Sequence, residues 1–196
     1  MRVSRTQASE NRQTVINVAS RLFRERGFDG IGLKDLMERA GLTQGAFYKQ
    51  FASKEDLVAQ ASGHALESAS RRWSAAAAAN PNDPLGAVMA FYLSTEHRED
   101  RMDGCPIVAL GSDAARQGSD VKASFEAGIR VHLEILGRMV AETHGKQPKG
   151  KGRAKAMAIL ATMVGALTLS RAVNDPDLAQ AFLDAAAKQV RAAVAA

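Results

Sequence analysis

Apolar residues in this chain recur three and four positions apart, and no segment shows the apolar–polar alternation of a half-buried strand. Val15, Val18, Ala19, Leu22 and Phe23 set the pattern on one face of a first helix, read from Glu10 to Arg26. Gly27 then stands where a left-handed residue ends a helix. Alanine dominates an apolar share of 46%, large enough for a real core. Alanine favours helix and disfavours strand, so the expected fold is all-α.

The same spacing organises the rest. A second, short helix carries Leu33, Leu36, Met37 and Ala40 and stops at Gly41. Thr43 is placed to cap a third, Gln44 to Phe51, and Ser53 with Asp56 opens a fourth as a variant capping box. That helix runs toward Ala75–Ala79, where Asn80-Pro81-Asn82-Asp83-Pro84 breaks it. A fifth follows Pro84, a polar loop spans Glu96 to Gly104, and Cys105-Pro106 starts a sixth. A seventh, beyond Gln117-Gly118-Ser119, reaches about His144. An exposed loop covers Gly145 to Gly152, and helices over Arg153–Asn174 and Asp177–Val194 close the chain. The expectation is about nine helices: a three-helix head over residues 1–58 and a larger bundle over 59–196.

Several classes fall away. The segment MRVSRTQASENRQ lacks an apolar core for a signal peptide, and the apolar stretch Ile159 to Leu169 is too short for a bilayer. One cysteine allows no internal disulfide; together these features predict a cytoplasmic protein with no membrane partner. His64, His97, His132 and His144 are not at metal-ligand spacings, and Gly111-Ser112 lacks the flanks of a nucleophile elbow. The glycines of Gly27 to Gly32 are misplaced for a dinucleotide loop. No catalytic residue, metal or cofactor is therefore expected. The net charge of +5 favours a polyanionic partner without specifying one.

The residues that point to a partner flank Gly41-Leu42-Thr43. Two short helices joined by that turn form a helix-turn-helix candidate, the glycine permitting the bend. Gln44, Gly45, Tyr48, Lys49 and Gln50 face outward; glutamine suits adenine, while tyrosine and lysine suit phosphates. Lys54, opening the fourth helix, could clamp another phosphate, and Arg2, Arg5 and Arg12 could add nonspecific attraction. Periodicity alone leaves a plain helical turn with solvated polar residues as an equal reading.

The run from Ala19 to Leu57 resembles the DNA-binding head of the TetR family. The matching positions are Ala19, Leu22-Phe23, Arg26-Gly27-Phe28, Ala40-Gly41-Leu42-Thr43, Gly45, Phe47-Tyr48, Phe51 and Ser53-Lys54-Glu55. Ile31-Gly32 departs from a pattern that often has Thr or Ser there, which removes one hydroxyl–phosphate contact. The resemblance implies a homodimeric repressor on double-stranded operator DNA, with Lys34, Thr43, Gln44, Gly45, Tyr48, Lys49 and Lys54 as contacts. An activator, or a helical DNA-binding protein without an inducer, stays open as the alternative.

Beyond about residue 60 the resemblance thins. It implies a dimer face on the last two helices, with Leu160, Val164, Leu167, Phe182, Leu183 and Ala186 its candidates. It also implies a pocket for a small apolar or electrophilic inducer near Trp73, Met89, Phe91, Tyr92, Met102 and Phe125, although core packing explains each residue singly. Cys105 precedes Pro106 at an expected helix start, where the dipole favours a thiolate and Arg101 stands nearby. Gly104-Cys105-Pro106-Ile107-Val108-Ala109-Leu110 is similar to a TetR subgroup that includes electrophile- and oxidant-sensing repressors. Modification of Cys105 would then release DNA, with the fourth helix as lever; the plain alternative is a buried, inert thiol.

Overall fold

The computed structural model describes residues 4–144 and 151–195. Ten helices follow in order: α1 (Arg5–Arg26), α2 (Leu33–Arg39), α3 (Gln44–Phe47), α4 (Lys54–Ala79), α5 (Pro84–Tyr92), α6 (Thr95–Glu99), α7 (Pro106–Ala115), α8 (Ser119–His144), α9 (Lys151–Ala172) and α10 (Pro176–Ala195). Among the described residues there is no strand, so the all-α expectation holds. Local chemistry sets the starts. Ser4, Ser53, Asp83 and Ser94 each accept a backbone N–H of the first turn, and Pro84 and Pro106 open α5 and α7.

The tenth helix is α6, inside a segment expected to be a polar loop. Ser94 Oγ caps it through His97 N–H at 3.1 Å, and His97 is buried, stacked on Phe91 with ring centroids 5.2 Å apart. A polar composition conceals an inward-facing histidine. In contrast, α3 ends at Phe47, short of the expected Phe51, and residues 48–50 form a turn closed by Phe51 N–H to Phe47 O at 3.0 Å. Of the expected loop over 145–152, residues 145–150 lie outside the described residues, as does Arg2; residues 151 and 152 belong to α9.

Two apolar cores form. The head core joins Phe23, Phe28, Leu36, Met37, Phe47 and Phe51, and it takes in Leu110 and Ala114 of α7 and Val121 and Phe125 of α8. The body core centres on Trp73, Tyr92, Leu136, Ile159, Met163 and Leu167. The boundary at residue 58 therefore falls inside the continuous α4, and α7 and α8 support the head from the body. Residues 152–172 of α9 are long and apolar enough to cross a membrane by length and composition, more than the stretch 159–169 suggests. The helix packs against α7, α8 and α10 of its own chain.

Candidate DNA-binding head and sensor body

The turn between α2 and α3 is built on Gly41, whose φ of +71° is the left-handed conformation. Leu42 N–H reaches back to Met37 O at 2.9 Å and Gly41 N–H to Glu38 O at 3.0 Å, which ends α2 tightly. Thr43 occupies the N-cap of α3, yet its side chain makes no capping hydrogen bond, contrary to the role expected for it. Phe47 is fully buried beneath α3 and stacks on Phe51 at 5.3 Å. Tyr48 meets Phe47 edge-on at 5.2 Å while staying 68% exposed. The Tyr48 ring thus stands in solvent beside exposed Gln44, Gly45 and Lys49, an aromatic, amide and ammonium grouping on one segment.

The neighbouring cations differ in freedom. Lys34 is 72% exposed, with Glu38 3.9 Å away, whereas Lys54 is half-buried and pairs with Asp29 at 3.8 Å. Arg5 is exposed, but Arg12 is engaged: it donates to Gln60 Oε1 at 2.7 Å and lies 4.7 Å over the Phe51 ring. Gln60 in turn donates to Asp56, which also accepts Ala52 N–H at 3.0 Å. The Ala52 N–H first, then the Gln60 amide, hold the Asp56 carboxyl below its ordinary value. Arg12 thus braces the α3–α4 junction instead of belonging to a loose basic tail.

The expected sensor residues are spread over both cores, a loop and a cleft. Trp73, Met89 and Tyr92 are body-core side chains, and Trp73 meets Tyr92 edge-on at 5.4 Å. Phe125 belongs to the head core. Met102 is half-buried on the 100–104 loop, where Arg21 approaches its sulfur at 4.0 Å. Phe91 lines an open cleft of about 660 Å³ between the end of α4 and α5, with Ala76, Asn80 and Asp83.

Cys105 is buried at the N-cap of α7. Beside it is Tyr92, also buried, whose phenol oxygen makes no hydrogen bond of ordinary geometry. Burial pushes that phenol well above its ordinary pKa, and the neighbouring Cys105 adds to the rise. The cation at this site is Arg171 of α9, whose ordinary pKa burial lowers and Cys105 partly restores. Arg101, expected to fill that role, is exposed.

The sequence offered no sign of the residues that tie body to head. Arg24, 7% exposed, donates to Ser20 O at 2.9 Å and to Gly104 O at 3.1 Å, with Asp103 at 3.5 Å. Burial lowers its guanidinium to about 10, still protonated near neutrality. Arg21 pairs with Asp103 at 3.0 Å. These contacts join residues about 80 positions apart, beyond the reach of helical periodicity.

The dimer-face candidates also fall differently. Leu160, Leu167, Leu183 and Ala186 are buried within the protomer, and Val164 and Phe182 are half-buried. The body core claims the broad apolar faces first. The large apolar side chains that α9 and α10 leave exposed are Met157, Leu169 and Leu178.

A helical chain whose α2–turn–α3 unit sits on buried Phe47 and presents exposed Gln44, Tyr48 and Lys49 has the form of a helix-turn-helix DNA-binding regulator. The profile of bacterial regulatory proteins of the tetR family matches residues 15–61. Over 164 residues the chain is 24% identical to the HTH-type transcriptional repressor NemR of Escherichia coli K12, covering 80% of this chain and 82% of NemR. Its fold matches the TetR transcriptional regulator from Chloroflexus aurantiacus J-10-FL with a TM-score of 0.80, at 25% identity and covering 97% of this chain and 96% of that one. It also matches the reduced form of E. coli NemR, with a TM-score of 0.77, at 21% identity and covering 93% and 96%. Residues 15–61 thus carry the head of the bacterial tetR-family regulatory proteins, and the relatives and fold neighbours that match most of the chain are TetR-family transcriptional regulators, which are non-enzymatic DNA-binding proteins.

Proposed function

We propose that the protein is a homodimeric repressor that binds operator DNA through the α3 face and lets go when its body is modified or occupied. The observation that carries DNA binding is Tyr48: exposed, fixed from below by Phe47 and flanked by Gln44 and Lys49. Thr43, Gly45 and Lys34 extend that face, and Lys54 closes it at the start of α4. The dimer face lies on α9 and α10, whose exposed Leu169 and Leu178 it covers, and a dimer places two α3 helices in successive major grooves. The division of labour follows, with the head near residues 1–58 and the sensing and pairing body beyond.

Cys105 is the point of control. Its support is the buried phenol of Tyr92 beside it, which has no polar partner other than the Cys105 thiol and is poised to donate to a thiolate or to an oxygen added on sulfur. Release follows by linkage if modification favours a head spacing that no longer fits adjacent grooves. The test is fluorescence anisotropy on DNA from upstream of the protein's own gene, at fixed salt, before and after N-ethylmaleimide. Tight binding lost on treatment and retained in Cys105→Ser supports the reading. Binding indifferent to the reagent removes Cys105 from it and leaves the DNA-binding face.

A further inference from the structure

Two arginines from opposite ends of the chain meet at one glycine. Arg24 of α1 donates to the carbonyl of Gly104 at 3.1 Å. On the other side, a Cβ placed on Gly104 would lie 2.7 Å from Nη2 of Arg171 and would overlap the Asp100 carbonyl. Arg171 itself donates to the carbonyls of Arg98 at 2.9 Å, His97 at 2.7 Å and Asp100 at 3.1 Å. The segment from His97 to Gly104 is therefore a strap held by its backbone oxygens, with Arg171 of the body at one end and Arg24 of the head at the other. Asp103 reinforces the head end through Arg21 at 3.0 Å.

The strap runs directly into Cys105. That thiol is buried against Tyr92, and Arg171 is within electrostatic reach of both. A group added to sulfur there needs space that Tyr92, Arg171 and the strap occupy. Arg24 is buried, so water does not readily replace the Gly104 carbonyl; it follows the strap or is left with an unmet charge.

We infer that the His97–Gly104 strap is the coupling element between Cys105 and the DNA-binding head, with Arg24 and Arg171 as its positioning residues. This rests on the reading of Cys105 as the point of control. It adds to α4 a second route, one that ends on α1 behind the helix-turn-helix.

The test is hydrogen exchange by mass spectrometry on the full chain, for wild type, Arg171→Met and Asp103→Asn, with each protein also titrated on DNA. The expected result is exchange of residues 20–31 raised about fivefold or more in Arg171→Met, although residue 171 lies in α9, while α10 keeps its protection. Asp103→Asn should raise it less. Wild-type exchange at residues 20–31 in Arg171→Met overturns the inference. If Arg171→Met loses protection throughout, Asp103→Asn decides: loosening confined to 20–31 sustains the coupling, and none overturns it. A third sample is wild type labelled at Cys105 with N-ethylmaleimide, which should loosen the same residues. Loosening there with DNA still bound contradicts the sensor reading alone; release of DNA with residues 20–31 unchanged contradicts the strap alone.

Discussion

Asp113 of α7 accepts the backbone N–H of Phe28 through its Oδ2 at 3.3 Å, so a body helix holds the turn that ends α1. The turn begins with Gly27, whose φ is +78°. Replacing Asp113 with Ala leaves that N–H without its partner, and the expected cost is about 1–2 kcal/mol. Urea denaturation followed by circular dichroism measures it. Arg116, 69% exposed, also pairs with Asp113, so Arg116→Ala serves as control with an expected loss of about 0–1 kcal/mol. Equal stability of Asp113→Ala and wild type would show that the α7–head bond contributes nothing.

The α3 face separates phosphate from base contacts. Lys49→Ala should weaken binding to operator and random DNA alike and reduce the salt slope by about one. Gln44→Ala should instead erode discrimination, costing about 1–3 kcal/mol on the operator and little on random DNA. Anisotropy titrations at several salt concentrations give both quantities. Equal losses on both DNAs for Gln44→Ala would move that residue to the phosphate class.

Two buried histidines make stability depend on pH. His97 Nδ1 lies 2.7 Å from Tyr92 O and His132 Nδ1 lies 2.8 Å from Gly128 O, so each neutral ring donates through Nδ1–H. Burial holds both imidazoles below the ordinary value of 6.5. The unfolded chain thus binds protons that the folded one refuses. Their stabilisation is complete above about pH 6.5 and lost as pH falls through the folded values. The melting temperature should drop between pH 7 and pH 5, and His132→Gln should flatten that drop. A wild-type melting temperature unchanged over that range would contradict the assignment.

The exposed leucines of α9 and α10 predict oligomeric state. Leu169→Glu and Leu178→Glu place charges on residues 48% and 45% exposed in the protomer, so the fold should survive while the dimer dissociates. Sedimentation of each variant measures this. A stable dimer in both would place the interface elsewhere.

The head was legible because its determinants are local. Gly41, Phe47, Phe51 and the Ser53–Asp56 cap lie within sixteen residues, and each obeys a spacing rule the backbone imposes. The body was legible as helices but not as surfaces. Leu160 and Leu167 have the periodicity of an interface, yet the protomer's own core buries them, and only packing distinguishes the two uses of one apolar face. Arg24, Asp103 and Gly104 left no trace because their partners lie about 80 positions away. Arg171 stands near Cys105 though 66 positions separate them, and no spacing rule links the two.

The most direct test of the central claim is footprinting of the purified protein on DNA upstream of its own gene, alongside Tyr48→Ala and Lys49→Ala. The account predicts a protected segment containing two inverted half-sites about one helical turn apart, faded or lost in both variants while their circular dichroism stays native. A footprint of the same strength in both variants would contradict the α3 face as the DNA-binding surface.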